Sequence, residues 1–313
     1  MGSAGNGLLD FETAESEEDY IRRMEAQSDR VFWTTYDNTY EMGDKAFRKT
    51  SRLPFNIERK DGTIVQWRRS WNHERIANEA EALEIVLQKT DIPVPRLLSH
   101  GSLPDGRQYL ITEYIDGVIL SALAHRGCSL LEEEKKHTKS TPCQTCSDIA
   151  YSNATDFISR TVLPQLAKLT SRYRGINGFV MPPRWLCPDL QPPWKGKQSW
   201  STLPLEQSDY VFQHGDLAAH NIILDSITLE VRALLDWEYA GFFPAGMENW
   251  TGMLSRDVFS PRDENIAQLI KQFLAAEYSD AYNKWGDKAQ LLKLIEEGKL
   301  PRPDQSRPGN SDE

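Results

Sequence analysis

The sequence predicts an α+β protein of two lobes, an antiparallel β lobe with one helix followed by a larger, mainly α-helical lobe. Three observations carry this. Extended segments broken by turn residues crowd into residues 44–116. Helical periodicity takes over from about residue 147. Two short apolar runs, FQHGDLAAHNIILD (212–225) and EVRALLDWEYAG (230–241), then interrupt the helical half with strands that carry acidic residues.

The elements follow in order. Residues 10–35 are rich in Glu and Asp and place Tyr20, Ile21, Met24 and Val31 at helical spacing, so residues 1–40 read as an acidic helical extension. The β lobe spans 41–116. Within it FNIERKDGTIVQWRRS (55–70) is a hairpin, because Asp61-Gly62 is a strong turn signal between extended segments. NHERIANEAEALEIVLQKT (72–90) is an amphipathic helix with Ile76, Ala80, Leu83 and Leu87 on one face. Pro93 and Pro95 end it. Further strands are expected near Leu97 and Ser99 and in RQYLITEYIDG (107–117). The helical lobe spans 117–299, with helices in 148–173, 265–285 and 288–298 and a Pro- and Trp-rich loop at 181–204. The tail, 300–313, has no apolar anchor and reads as disordered.

Composition narrows the classes of function. The 313 residues are 39% hydrophobic and 26% charged, the balance of a soluble globular protein, and no apolar run is long enough to span a bilayer. The acidic N-terminus lacks the form of a signal peptide, and Asn6 stands where a myristoylation signal needs Ser or Thr. A cytoplasmic protein with no membrane partner is the expectation. The net charge of −10 and the absence of a long basic stripe argue against a nucleic-acid partner. Four cysteines are too few for a disulfide framework in a chain of this length. Cys143 and Cys146 form one C-x-x-C, with Cys128, His125 and His137 upstream; a zinc site is one reading, but the irregular ligand spacing favours a reduced loop.

The 212–225 segment raises the sharper question of why apolar residues enclose His214, Asp216 and Asn221, since buried carboxylates are costly unless paired. A polar turn between strands is one answer. The other is a catalytic loop of the form H-x-D-x-x-x-x-N, in which the Asp takes or orients the proton of an attacking hydroxyl and the Asn binds magnesium. Asp236, after the buried pair Leu234-Leu235, is placed as a second metal-binding Asp on the far strand of a hairpin. Hard oxygen ligands of this kind hold Mg²⁺ while leaving positions open to phosphates.

With a β lobe ahead of a helical lobe, this is the order of a protein-kinase-like fold. The segments HGDLAAHNIILD, ALLDWEYAGFFP, NEAEALEIVLQKTDIPVPRLLSHG and YLITEYIDG resemble the aminoglycoside phosphotransferase/choline kinase family, particularly its fungal members, over roughly residues 45–290. The resemblance implies ATP or GTP, Mg²⁺, and transfer of the γ-phosphate to the hydroxyl of a small molecule. It implies Asp216 as the base, Asn221 and Asp236 as metal ligands, and His214 as a brace for the loop. It also implies backbone contacts to the base at Glu113 and Ile115.

The β lobe departs from the family pattern. The family places a strand Lys against a helix Glu to grip the α- and β-phosphates, and TIVQWRRSW puts Arg68 at that position, with Arg69 next to it; the other reading is a pair of solvent-facing arginines at a strand end. Glu79 is the first candidate partner and Glu81 the alternative. Arg is not a conservative substitute for Lys at such a site, and no Gly-rich loop lies between residues 44 and 62. Two further readings therefore stand beside the kinase: a nucleotide-binding pseudokinase with little turnover, motivated by Arg68, and a metal-dependent phosphate-ester hydrolase using the same carboxylates. Trp237 and Tyr239 are expected in the core, and Glu238 either near the metal or on the surface.

Overall fold

A computed structural model describes residues 16–26, 31–69, 71–125, 143–177 and 210–245, together with Glu248, Ala289, Leu292, Lys293 and Glu296. The predicted loop at 181–204, the helix at 265–285, the C-terminal tail, Cys128 and His137 lie outside the described residues.

The chain opens with α1 (Glu17–Glu25). The Ser16 hydroxyl caps it by accepting from the Asp19 amide, and Glu17, Glu18 and Asp19 place negative charge on its first turn, where the exposed amides favour it. Tyr20 and Met24, one turn apart, are its buried residues. The helical pattern read over 10–35 stops there. Val31–Thr34 is a strand, β1, and Asn38–Met42 is its antiparallel partner β2. β-branched and aromatic residues in VFWT outweigh the apparent helical spacing of Val31. The sheet therefore begins before residue 41.

β3 (Ala46–Ser51) joins β2 to a five-stranded antiparallel sheet, which β7 (Gln108–Glu113) and β6 (Leu97–Ser102) extend in the order β1-β2-β3-β7-β6. β4 (Phe55–Glu58) and β5 (Ile64–Trp67) form the expected hairpin, turning at Gly62 with φ 79°. It is a separate two-stranded sheet, not part of the larger one. α2 (Asn72–Lys89) packs across the sheet with Ile76, Ala80, Leu83 and Val86 buried, while Leu87 is exposed. Thr90 ends it, its hydroxyl returning to the Val86 carbonyl ahead of Pro93 and Pro95. β6 (Leu97–Ser102) and β7 (Gln108–Glu113) complete the sheet.

The chain crosses to the second lobe at 114–117. β8 (Val118–Ile119) leads into a 3₁₀ turn, and α3 (Gln144–Phe157) runs through a π-turn at 158–162 into α4 (Leu163–Leu166), so the helical pattern of 148–173 holds as far as Leu166 and gives way to a strand at 170–171. Cys143 and Cys146 sit at the start of α3 and are buried in the main core, so the segment is a helix start and not a loop. β9 (Thr170–Ser171), β10 (Tyr210–Gln213) and β13 (Gly241–Pro244) form one small sheet. β11 (Ile222–Leu224) and β12 (Val231–Leu234) form another with β8. One hydrophobic core joins both lobes, from Ile76 and Leu83 on α2 to Phe212, Ile222 and Trp237 in the second lobe. Among the described residues no helix is long and apolar enough to cross a membrane.

Candidate active site

A cleft of about 410 Å³ lies between the lobes. Trp33, Tyr40 and Phe47 wall it on the β side, and Ile223, Asn221 and Asp236 on the other. Trp33 and Tyr40 stack, with ring centroids 5.0 Å apart and planes 16° apart. Thr112, Glu113, Tyr114 and Ile115 line the back of the cleft, where β7 runs into the crossing. The two crossing positions expected from the sequence, Glu113 and Ile115, are thus on its wall. The Glu113 amide donates to the Arg96 carbonyl and the Tyr114 amide to the Lys45 carbonyl, which ties the crossing to β3 and to the start of β6.

The inner end of the cleft holds a charge cluster. Lys49, on β3, places its Nζ 2.9 Å from Glu79 Oε2, 2.7 Å from Asp236 Oδ1 and 2.7 Å from Glu238 Oε2. Lys49, Glu79 and Glu238 are buried and Asp236 is partly open to the cleft. Burial works against the charge on Lys49, but the carboxylates of Asp236, Glu238 and Glu79 overcome it and hold the ammonium protonated well above its ordinary range. Asp236 is likewise opposed by burial, and the contact with Lys49 keeps its carboxyl below the usual value. Glu79, buried and facing two other carboxylates, is pushed up to about 7 despite Lys49.

Lys49 thus stands where Arg68 was expected. Arg68 follows β5 on the separate hairpin, is exposed and lies near Glu74, away from the cleft. The physical reason is that β5 belongs to a separate two-stranded hairpin, whereas β3, which carries Lys49, lies inside the five-stranded sheet. The partner is Glu79; Glu81 is turned away and accepts a hydrogen bond from Asn177 Nδ2 at 2.7 Å. The usable signal for Lys49 was the strand AFRKTS followed by a helix bearing Glu79. Alternation puts Arg48 and Lys49 on opposite faces without saying which face meets the helix.

The 214–221 loop lies beside this cluster. Gly215 has φ 80°, and a Cβ there would collide with the Tyr239 carbonyl, so the turn between His214 and Asp216 requires glycine. His214 is fully buried, which lowers its pKa and keeps the ring neutral. The Asp216 amide donates to Nδ1 (3.2 Å), so Nε2 carries the proton and donates to the Leu235 carbonyl at 2.9 Å. This ties the loop to the residue before Asp236 and leaves His214 no ring nitrogen for other work. Asn221 Nδ2 donates to the Asp216 carbonyl (2.8 Å) and stands 3.3 Å from Asp216 Oδ2. His220 Nε2 is 3.4 Å from the same carboxylate oxygen. Asp236 sits at φ 60°, a strained position for a residue with a side chain and the sort of outlier found at functional sites.

Of the two positions left open for Glu238, the structure favours the one near Asp236, and besides Lys49 the sequence reading missed Glu248. Glu238 is not on the surface; it is buried between Lys49 and Arg75, whose Nη2 is 3.3 Å from its Oε2. Glu248 accepts from the backbone amides of both His214 and Gly215 and so fixes the turn that carries Asp216. No spacing rule marks Glu248; only the fold brings it there. Trp237 and Tyr239 are core aromatics, as expected.

The donor set suits a divalent cation. Carboxylate oxygens of Glu79, Asp236 and Glu238 lie within 4.8 Å of one another. Lys49 Nζ sits at the meeting point of these oxygens, which leaves Asp236, partly open to the cleft that Asn221 also lines, as the carboxylate a metal could reach. Hard oxygen donors of this kind suit Mg²⁺ and not a soft metal.

Residues 161–285 match the model of the phosphotransferase enzyme family, APH. That stretch contains the 214–221 loop and Asp236, and the match supports a kinase-type phosphotransferase enzyme. No curated protein sequence matches significantly. Among solved structures, an aminoglycoside-3'-phosphotransferase of type VIII is 19% identical, with 72% of this chain and 77% of that one covered and a TM-score of 0.40. A thermostable mutant of aminoglycoside phosphotransferase APH(4)-Ia, in ternary complex with AMP-PNP and hygromycin B, is 12% identical, with coverage of 74% and 73% and a TM-score of 0.40. A putative aminoglycoside phosphotransferase from Ralstonia eutropha is 13% identical, with coverage of 82% and 78% and a TM-score of 0.37. These scores lie below 0.5, and none of the three bears on a fungal branch.

Proposed function

We propose that the protein is a Mg²⁺- and ATP- or GTP-dependent phosphotransferase of protein-kinase-like fold, which moves the γ-phosphate to a hydroxyl of a small molecule. The observation that carries the reading is the placement of Lys49, paired with Glu79 and in contact with Asp236, at the inner end of a cleft that Asn221 also lines.

In this reading the base lies against the 112–115 crossing under Trp33 and Tyr40, contacting backbone at Glu113 and Ile115. Lys49 swings from the carboxylates to the α- and β-phosphates, and Glu79 keeps its stem aimed. Asn221 and Asp236 would hold the metal, which would supply positive charge to offset that of the β- and γ-phosphates. Asp216, fixed through its amide to His214 and its carbonyl to Asn221, receives the proton of the acceptor hydroxyl and aligns its oxygen for in-line attack. The lysine and Glu79 also remove the ground for a weak, binding-only pseudokinase, which rested on Arg68.

The test is thermal. A ligand that binds only the folded state adds RT ln(1 + [L]/Kd), about 2.7 kcal/mol at a hundredfold excess over Kd. ATP with Mg²⁺ is expected to raise the melting temperature more than ATP with EDTA, and Asp236→Ala to erase the difference. Equal shifts with and without metal, unaffected by Asp236→Ala, contradict the reading.

A further inference from the structure

The turn between β1 and β2, residues 34–38, joins the strands that carry two of the cleft's wall residues, Trp33 and Tyr40. It reads TTYDN and has no glycine. A glycine-rich loop holds phosphate because its backbone can approach closely and adapt. This turn has no such freedom and is closed on itself: the Thr35 amide donates to the Asn38 carbonyl (2.8 Å) and the Asn38 amide to Thr35 Oγ1 (3.1 Å). A stiff turn contributes to binding only if something fixes where it sits.

Asp37 is the point of attachment. Its carbonyl accepts from the Arg52 amide (2.9 Å) and from Asn72 Nδ2 (2.7 Å) at the start of α2. Its carboxylate accepts from Trp67 Nε1 (3.3 Å) and faces Arg69 Nη1 (3.5 Å) and Arg75 Nη1 (3.9 Å). The same two arginines reach the other lobe. Arg69 Nη2 donates to the Tyr239 hydroxyl at 2.8 Å and Arg75 Nη1 does so at 3.3 Å. Arg75 Nη2 meets Glu238, which in turn holds Lys49. Asn78, one turn further along α2, donates to the carbonyls of Glu238 and Ala240.

We propose that Arg75 and Arg69 are positioning residues that clamp the β1–β2 turn, through Asp37, to the Asp236–Tyr239 segment, so that the cover of the nucleotide and the carboxylate loop are set as one unit. The inference rests on the proposed function and extends it. A planar guanidinium presents its donors in a rigid fork, so Arg75 holds the turn and Glu238 in fixed positions relative to one another. Arg75 is buried, so it answers to the geometry of both lobes. The clamp replaces glycine adaptability with preorganisation, which lowers the ordering cost of binding. It also gives Arg69 the role in the Arg68-Arg69 pair, through positioning and not through contact with phosphate.

The test is a double-mutant cycle on nucleotide affinity. Asp37→Asn removes the charge on the turn and keeps its carbonyl. Tyr239→Phe removes only the hydroxyl that both arginines touch. Mg·ATP and Mg·GTP are titrated by calorimetry into the parent, each single variant and the double. Each single variant is expected to bind about tenfold more weakly, about 1.4 kcal/mol, while the double loses little more than either, because both act through the same arginines. Arg69→Gln, on a half-exposed side chain, is expected to show a several-fold loss and serves if Asp37→Asn does not fold. Parent-like affinity in the variants, with only a lower melting temperature, overturns the clamp, and so does a hundredfold, additive loss in the double. A parent that binds neither nucleotide overturns the proposed function and the clamp with it.

Discussion

Replacing Lys49 with Met removes the ammonium that three carboxylates share and keeps the length of the side chain. In the parent its Nζ lies 2.7–2.9 Å from Glu79, Asp236 and Glu238. Breaking a buried ion pair from one side costs about 3–5 kcal/mol, because the partner charge stays buried and unpaired. Glu79 and Glu238 are the buried members; Asp236 is 27% exposed and regains some water. Arg75 continues to neutralise Glu238, so the loss belongs at the lower end, about 3 kcal/mol. Part of it is recoverable by acid. In the parent, Glu79 already has its folded pKa raised from 4.5 to about 7, so the stability its protonation supplies is complete below about 4.5 and is lost as pH rises through about 7. Without Lys49 the carboxyl holds its proton more tightly still. The gap in stability between Lys49→Met and the parent should therefore narrow as pH falls from 8 to 6. Urea melts at the two pH values measure it, and calorimetric titration of Mg·ATP should show at least a tenfold weaker Kd. A variant as stable as the parent at pH 8, or a gap that widens toward pH 6, refutes the electrostatic account of the cluster.

The other predictions follow from single positions. Arg68→Ala should leave both the Mg·ATP affinity and the melting temperature near parent values, since the side chain is exposed and outside the cleft; a tenfold loss of affinity would restore Arg68 as the phosphate-gripping residue. Gly215→Ala should cost about 1–3 kcal/mol in denaturant melts through its positive φ and the clash with the Tyr239 carbonyl, and should slow phosphate transfer, because the turn it strains carries Asp216; unchanged stability would show that the turn tolerates a side chain.

The two halves of the site differed in how far the sequence revealed them. His214, Asp216 and Asn221 could be read because a single tight loop holds them, so their spacing is their geometry. Asp236 could be read because the hairpin of β11 and β12 is short. Lys49 and Glu79 meet only through tertiary packing, and their strand offers two neighbouring cations, Arg48 and Lys49, that alternation cannot assign to faces. The β4–β5 hairpin added to the error, since its strong Asp61-Gly62 turn signal looks like part of the main sheet yet builds a separate one. β1 was hidden for the opposite reason. Acidic residues around it suggest a helix, and the β-propensity of VFWT is expressed where β2 pairs with it. Glu248 and the Arg75 contacts have no local signal at all.

If Asp216 serves phosphate transfer from a metal-bound nucleotide to a hydroxyl, its carboxylate is needed for turnover and not for binding. Incubating the protein with γ-labelled ATP or GTP, Mg²⁺ and a pool of small hydroxyl compounds follows the label into phosphate esters for the parent and for Asp216→Asn. The parent should transfer the label in a Mg²⁺-dependent way, and the variant should lose about 10²-fold or more of that rate with nucleotide binding intact. Release of the label only as free phosphate, or equal transfer by parent and variant, would rule this role out.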